Sequence, residues 1–451
     1  MNRNAIDMTD GTPLKLLTVF TVPALAGNLL NQVYSITDSI IVGRVLGQTS
    51  LAAIGVCMPV VLLTSTMVIG VNIGVGIIMS QSFGRHDLKT MRHVLANSMY
   101  LAFAISLITA VVGYPLTVPI LKVMGTPAGP MKEAAEYMHI MFVTTIFPML
   151  YYLFNNAFRG MGDSMTALYC LIVSVGANVI LDILFVAKLG LGVAGSAWAT
   201  ALSQFLSVIF AVTMLNLRYK EMRLAKEDFR FDRGLIARIT SIAVPVAVQS
   251  GFNNLGNIIV QSCINGFGEA VMAAYTAASR IGTLALMPVE NVGNSLSVYA
   301  GQNFGAGKKE RIPMGVRAAW IMDFAVSAVL AAVLLLSGNK LVSLFLQNPA
   351  PEILSTASRY LLIAAVPGIF NGIMCIYQQT LRGIDKTNAS VAGGFMQLGT
   401  KVITAVIGAY VLKNLDIVWL AWPLSFIAGT IYPLTVYKKW EKTADRSESE
   451  I

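Results

Sequence analysis

Asn178 and Asp182 stand four residues apart inside the apolar run Ala167–Ala187, a stretch long enough to cross a bilayer. On a helix this spacing puts the amide and the carboxylate on one face. A carboxylate at membrane depth costs roughly 2.5–3.5 kcal/mol on insertion scales, so such residues face a polar cavity or a helix interface. Two chemistries fit the pair: reversible binding of a proton or small cation, or a polar clasp between helices.

A second intramembrane acid, Asp38, lies in the stretch Asn31-Gln-Val-Tyr34-Ser-Ile-Thr-Asp38. Asn31, Tyr34 and Asp38 recur at i, i+3 and i+7 and form a polar stripe in which the tyrosine hydroxyl can donate to the carboxylate. Asn155, Asn156 and Thr200 are further polar candidates for the same locus. Two carboxylates close together in a low dielectric do not both ionise cheaply, so a proton or a bound cation is expected there. Oxygen donors suit H⁺ or Na⁺, so the one metal candidate is a Na⁺ ion at this locus.

Other chemistries find no purchase in the sequence. His86, His93 and His139 are the three histidines, and no HExxH, GxxxxGK[ST] or GxSxG pattern occurs, so neither an enzyme nor an ATP-driven machine is expected, and no organic cofactor. Cys57, Cys170, Cys263 and Cys375 fall singly in apolar runs and read as packing residues. The net charge of +9 does not point to nucleic acid, because the basic residues are distributed by loop.

The elements that must position these side chains are membrane helices. Of 451 residues, 55% are hydrophobic and 12% charged, with mean hydropathy +0.68; the chain is an all-α polytopic membrane protein. Its start, Met1–Pro13, is polar and lacks a signal-peptide pattern. Twelve spans are expected near 14–43, 51–82, 95–121, 134–157, 166–187, 192–216, 235–266, 271–304, 314–337, 353–380, 388–411 and 415–437. Pro23 and Pro245 are candidate kinks in the first and seventh. Of the 32 Lys and Arg residues, 23 fall in alternate loops on one side and seven on the other, leaving Arg280 and Lys401 inside spans. By the positive-inside rule both termini are cytoplasmic in a plasma or inner membrane.

The chain repeats itself. Ser80-Gln-Ser-Phe-Gly84 matches Gly301-Gln-Asn-Phe-Gly305, Arg159-Gly-Met-Gly-Asp163 matches Arg382-Gly-Ile-Asp385, and Pro23 matches Pro245, all at offsets of 221–223 residues. Six spans per repeat is an even number, so the two lobes share an orientation and should be related by a pseudo-two-fold axis along the membrane normal. The boundaries read as lobes at 1–217 and 235–440, a cytoplasmic linker at 218–234 and a polar tail at 441–451. The linker reads as a solvated connection. The acid pair is not duplicated: Asp38 aligns with Ile259 or Val260, Asn178 with Lys401, and Asp182 with Ala405. The second lobe instead carries Arg280, Glu290 and Lys401, candidates for a substrate cavity with Asn31 and Asn155; a Glu290–Lys401 pair is one arrangement open to them. Asp323, toward one end of its span, reads as a residue reaching the interface.

Together the two six-helix lobes, Asp38, Asn178-x-x-x-Asp182 with Thr200, the Arg-Gly signatures at Arg159 and Arg382 and the Gln-x-Phe-Gly ends at Gln81 and Gln302 resemble the multidrug and toxic compound extrusion (MATE) transporters, in the DinF-like or MepA-like prokaryotic branch. The resemblance covers nearly the whole chain. It implies alternating access and export of amphipathic, often cationic, compounds in exchange for H⁺ or Na⁺, by a chain taken as a monomer in contact with membrane lipid. It maps a first-lobe cation site onto Asp38, Asn178, Asp182, Thr200 and one of Asn155 and Asn156. The seventh-helix acid of the NorM-like branch has no match here. A lipid-linked oligosaccharide flippase shares the architecture and is the alternative; it would favour a cationic cavity, which Arg280 and Lys401 suit and the first-lobe acids oppose.

Overall fold

Apolar runs of more than 20 residues without helix-stopping turn signals leave the backbone one way to satisfy its polar groups in lipid, and the chain takes it. The computed structural model describes residues 5–345 and 350–449; the side chains of 38–40, 344–345, 365 and 445–449 fall outside that description. The helices are α1 (Pro13–Val45), α2 (Gln48–Gly84), α3 (Leu88–Val123), α4 (Ala128–Val143), α5 (Ile146–Gly160), α6 (Ser164–Asp182), α7 (Gly192–Arg218), α8 (Arg233–Asn265), α9 (Glu269–Gly305), α10 (Arg311–Phe345), α11 (Pro351–Tyr360), α12 (Gly368–Gly383), α13 (Thr387–Val406) and α14 (Leu415–Ser449). Among the described residues eleven spans are long and apolar enough to cross a membrane, and α4 with α5, bent by 49° at Thr144–Thr145, makes a twelfth. Pro23 and Pro245 lie within α1 and α8. Residues 441–449, expected within a polar tail, continue α14.

Large apolar side chains are turned outward, as lipid-facing surfaces require: Leu336 is 84% exposed, and Phe103, Val111 and Ile180 are also exposed. Among the described residues π-helical turns close two spans, at Ile183–Lys188 and Ile407–Val411, and interrupt a third at Leu361–Ala365. Such turns occur often at functional sites. The first follows Asp182 directly, and the second begins two residues after Ala405, the position that aligns with it.

The chain divides into two compact units, residues 1–7 with 22–247 and residues 8–21 with 248–451. In the first unit, Met79, Phe154, Phe158 and Leu95 form a core that also takes in Ile239, Ile242 and Ala243 of α8. These contacts draw the opening turns of α8 into that unit. Gln81, in the first Gln-x-Phe-Gly end, accepts from Arg238 Nη2 at 2.7 Å. The second unit has a core around Trp419, Tyr360 and Tyr275, whose rings meet edge-to-face or stacked at 5.0–5.8 Å. It holds residues 8–21 through the matching glutamine: Met8 N donates to Gln302 Oε1 at 2.9 Å, and Asn303 Nδ2 donates to Met8 O at 3.0 Å.

The stretch between α7 and α8 is not a free connection. It forms two short 3₁₀ turns, Lys220–Met222 and Lys226–Phe229, and lies on α3. Asp228 is buried against Arg92 (3.3 Å), the Asn97 side chain bonds the backbone of Arg230 and Asp232, and the Tyr100 hydroxyl donates to Phe229 O. A charge run of this kind reads as solvated, but here its Asp228 carboxylate and its carbonyls satisfy groups on α3.

Candidate functional site

Two helices build the site in the first unit. α6 starts at a capped turn: Asp163 accepts from Thr166 N at 2.8 Å and from the Tyr219 hydroxyl at 2.5 Å. Burial, and then the Asp163 charge, push the Tyr219 phenol well above its usual range, so it stays a donor. The Arg-Gly signatures serve helix approach. A side chain at Gly160 would meet Met79 Cβ at 2.8 Å, and one at Gly383 would meet Ser297 O at 2.7 Å, so α5 abuts α2 and α12 abuts α9.

Four to five turns along α6, Asn178 and Asp182 face α7; they are 1% and 0% exposed. With its nitrogen toward the acid, the Asn178 amide donates to Asp182 Oδ2 at 2.7 Å, and its oxygen accepts from Thr200 N at 3.2 Å. The reverse orientation sets oxygen against oxygen and leaves a 3.5 Å contact to Thr200 Oγ1. Ser203, one turn on from Thr200, is buried and donates to Thr200 O at 2.8 Å. The structure therefore brings Asn178, Asp182 and Thr200 together.

The other sequence candidates distribute differently. Asp38 lies in α1, and its side chain is outside the described residues. Tyr34 is half-buried and within electrostatic reach of Tyr151, while Asn31 is exposed. Asn155 is buried and Asn156 partly exposed; each amide nitrogen returns to the carbonyl four residues back, Tyr151 O and Tyr152 O, at 2.9 and 3.0 Å. In the second unit Glu290 and Lys401 do not pair. Lys401 Nζ donates to Asn257 Oδ1 at 2.6 Å and lies 5.3 Å from the centre of the Trp422 ring, whereas Glu290 adjoins Asn371. Arg280 is exposed.

Sequence reasoning misplaced Asp323. It does not reach an interface: it is 1% exposed, twelve residues into α10 and so about 18 Å along it. Ser327, four residues on, bonds it at 3.2 Å. The same i,i+4 polar spacing that marks Asn178 and Asp182 was present there as a signal.

A duplicated six-span helical scaffold with a carboxylate–amide pair buried at membrane depth defines a polytopic transporter. Residues 23–184 and 245–410 match the MatE family model, one match per repeat, and the chain belongs to the MATE family of multidrug efflux transporters. It is 28% identical over 436 residues to the probable multidrug resistance protein YoeA of Bacillus subtilis (strain 168), covering 94% of each chain. It is 23% identical over 387 residues, 84% of each, to the multidrug export protein MepA of Staphylococcus haemolyticus (strain JCSC1435). A solved structure of a multidrug resistance MATE family transporter of the MOP superfamily, in an outward-facing conformation, superposes with TM-score 0.91 over 99% of this chain and 100% of that one. Its 21% identity speaks to the fold alone.

Proposed function

We propose that the protein exports amphipathic, often cationic, organic compounds across the plasma membrane by antiport against H⁺ or Na⁺, with the Asn178–Asp182–Thr200 cluster as the coupling site and Asp38 as its fourth member. The observation that carries this reading is a fully buried carboxylate bonded by an amide within a membrane span. Ionised, such a group is costly at membrane depth; a bound proton or Na⁺ removes that cost. Cation binding thereby shifts the balance between packings of the unit, and exchange follows if substrate favours the opposite packing. Both termini and residues 218–234 are cytoplasmic in this reading, the chain works as a monomer among lipids, and no organic cofactor takes part. Lys401 is engaged by Asn257 and Trp422, which favours drug export over a cationic flippase cavity. The deciding experiment is dye efflux from vesicles under separately imposed pH and Na⁺ gradients. Efflux that follows one gradient and is lost in Asp182→Asn supports the proposal; efflux indifferent to both gradients removes it.

A further inference from the structure

Asp323 and its surroundings in the second unit take no part in the proposed coupling site. Ser327 Oγ donates to Asp323 Oδ1 at 3.2 Å, while Oδ2 is buried and meets no hydrogen-bond partner. Among the described residues no Lys, Arg or His forms an ion pair with it. The carboxyl lies against α12, where a Cβ on Gly372 would be 1.9 Å from Oδ1 and 2.3 Å from Oδ2. The preceding residue, Asn371, is 3% exposed. Its amide adjoins the Glu290 carboxyl of α9, yet the buried Nδ2 completes no hydrogen bond. Glu290 itself is exposed. Glu290 thus borders Asn371, and Asp323 borders the next residue on the helix, Gly372.

The other groups around α10 do not neutralise Asp323. Cys375, one turn beyond Asn371, is within electrostatic reach of both acids and of Arg382, and the Arg382 guanidinium is directed to Ser390 (3.0 Å) and Gln249 (3.3 Å). Residues 8–21 contribute the uncharged Thr18 beside Met322. α11 meets α10 at Asn339, roughly 24 Å along the helix from Asp323. An ionised carboxylate held by a single hydroxyl in such a place costs several kcal/mol, and a group so placed neutralises instead. No cluster of three or more His, Cys, Asp or Glu among the described residues could hold a metal there.

We infer that Asp323 is a proton-binding site of the second unit, separate from the Asp182 cluster. The proton is held on Oδ2, the oxygen that meets no partner, while Oδ1 accepts from Ser327, and Asp323 is thereby neutral.

The test is infrared difference spectroscopy of the full-length protein in nanodiscs at neutral pH, a readout that needs no transport and stands apart from the proposed export. Asp323→Asn is expected to lose a protonated-carboxyl C=O band. Ser327→Ala is expected to move that band to higher frequency by removing its donor. Glu290→Gln is expected to keep the band, which separates Asp323 from the other carboxyl near Asn371. Loss of paired carboxylate stretches in Asp323→Asn would overturn the assignment. If Asp323→Asn does not fold, Ser327→Ala decides: movement of the C=O band supports proton binding, and movement of carboxylate stretches refutes it. Loss of the band in Glu290→Gln beside its retention in Asp323→Asn also overturns the assignment.

Discussion

The Asp323 carboxyl occupies the space that a side chain on Gly372 would need, with Oδ1 1.9 Å from the site of a Cβ. Asp323 belongs to α10 and Gly372 to α12, so neither residue alone explains the other. Gly372→Ala should force the carboxyl out of its place between the helices. Overpacking of this kind costs about 1–3 kcal/mol. A lower midpoint in thermal unfolding of the purified protein is expected. An alanine variant as stable as wild type would show that the carboxyl can move without cost.

Asp87 is the N-cap of α3, accepting from Thr90 N at 3.0 Å and from Thr90 Oγ1 at 2.5 Å. Burial alone would push the Asp87 carboxyl above its usual range, but the Thr90 bonds and the charges of Arg85 and Lys89 outweigh it and hold the carboxyl below that range. A carboxyl with a depressed folded value contributes stability above its unfolded value and loses it as pH falls through the folded one. Asp87→Asn keeps an oxygen for Thr90 N and removes the charge. The variant should melt lower than wild type at neutral pH, by the roughly 0.3–1 kcal/mol of a charge at a helix N-terminus. The two melting curves should converge below the ordinary carboxylate range. A gap independent of pH would assign the effect to geometry.

The stretch between α7 and α8 is fastened to α3 by Asp228, which bonds Arg92 Nε at 3.3 Å and Ala225 N at 2.8 Å. Asp228→Ala should loosen this segment without unfolding the helices around it. Trypsin should then cut at Arg223, Lys226 or Arg230 roughly tenfold faster, the effect of about 1.4 kcal/mol on a local opening equilibrium. An unaltered digestion rate would mean that Asn97 and Tyr100 hold the segment unaided.

Sidedness follows from the alternation of basic loops. Single cysteines in place of Thr126 and Lys226, in a background without Cys57, Cys170, Cys263 and Cys375, should react with an impermeant reagent from opposite sides of the membrane. Labelling from the same side would overturn the span count that the charge pattern implies.

These residues also show where sequence reading ends. The spans are legible because about 20 apolar residues have one use in a chain of this composition, yet nothing in the apolar run announces the bend at Thr144–Thr145. Asn178 and Asp182 are legible as a pair because helical spacing alone puts them on one face. That Asn155 and Asn156 bond back to their own helix was not legible, since either amide has the same composition whether it points to a neighbour or returns. Asp323 was misread because position along a span does not say which face a neighbouring helix covers; Gly372, the residue that admits it, is remote in sequence. The docking of Asp228 was hidden for a similar reason: a charge run looks alike whether its partners are water or Arg92.

Coupling is expected to depend on Asp38 and Asp182 more than on Glu290. Asp→Asn keeps the size of the side chain and removes the titrating charge, so Asp182→Asn leaves Asn178 an oxygen to bond within the 0%-exposed site. The protein should still fold and enter the membrane. Gradient-driven dye efflux should nevertheless fall by about 5–150-fold, the range of coupling free energies of 1–3 kcal/mol. Asp38→Asn should behave in the same way. Substrate binding, measured by fluorescence polarisation of the dye, should survive in part, because a broad-specificity pocket is largely apolar. Glu290→Gln should hurt efflux less and alter which substrates are taken. The reasoning rests on the asymmetry of the repeat: the π-helical turn is present in both units, but Asp182 has Ala405 at its matching position. If both aspartates only clasp helices, their Asn variants will pump at nearly the wild-type rate. Active Asp38→Asn and Asp182→Asn variants beside a Glu290→Gln variant without coupling would transfer the cation site to the second unit.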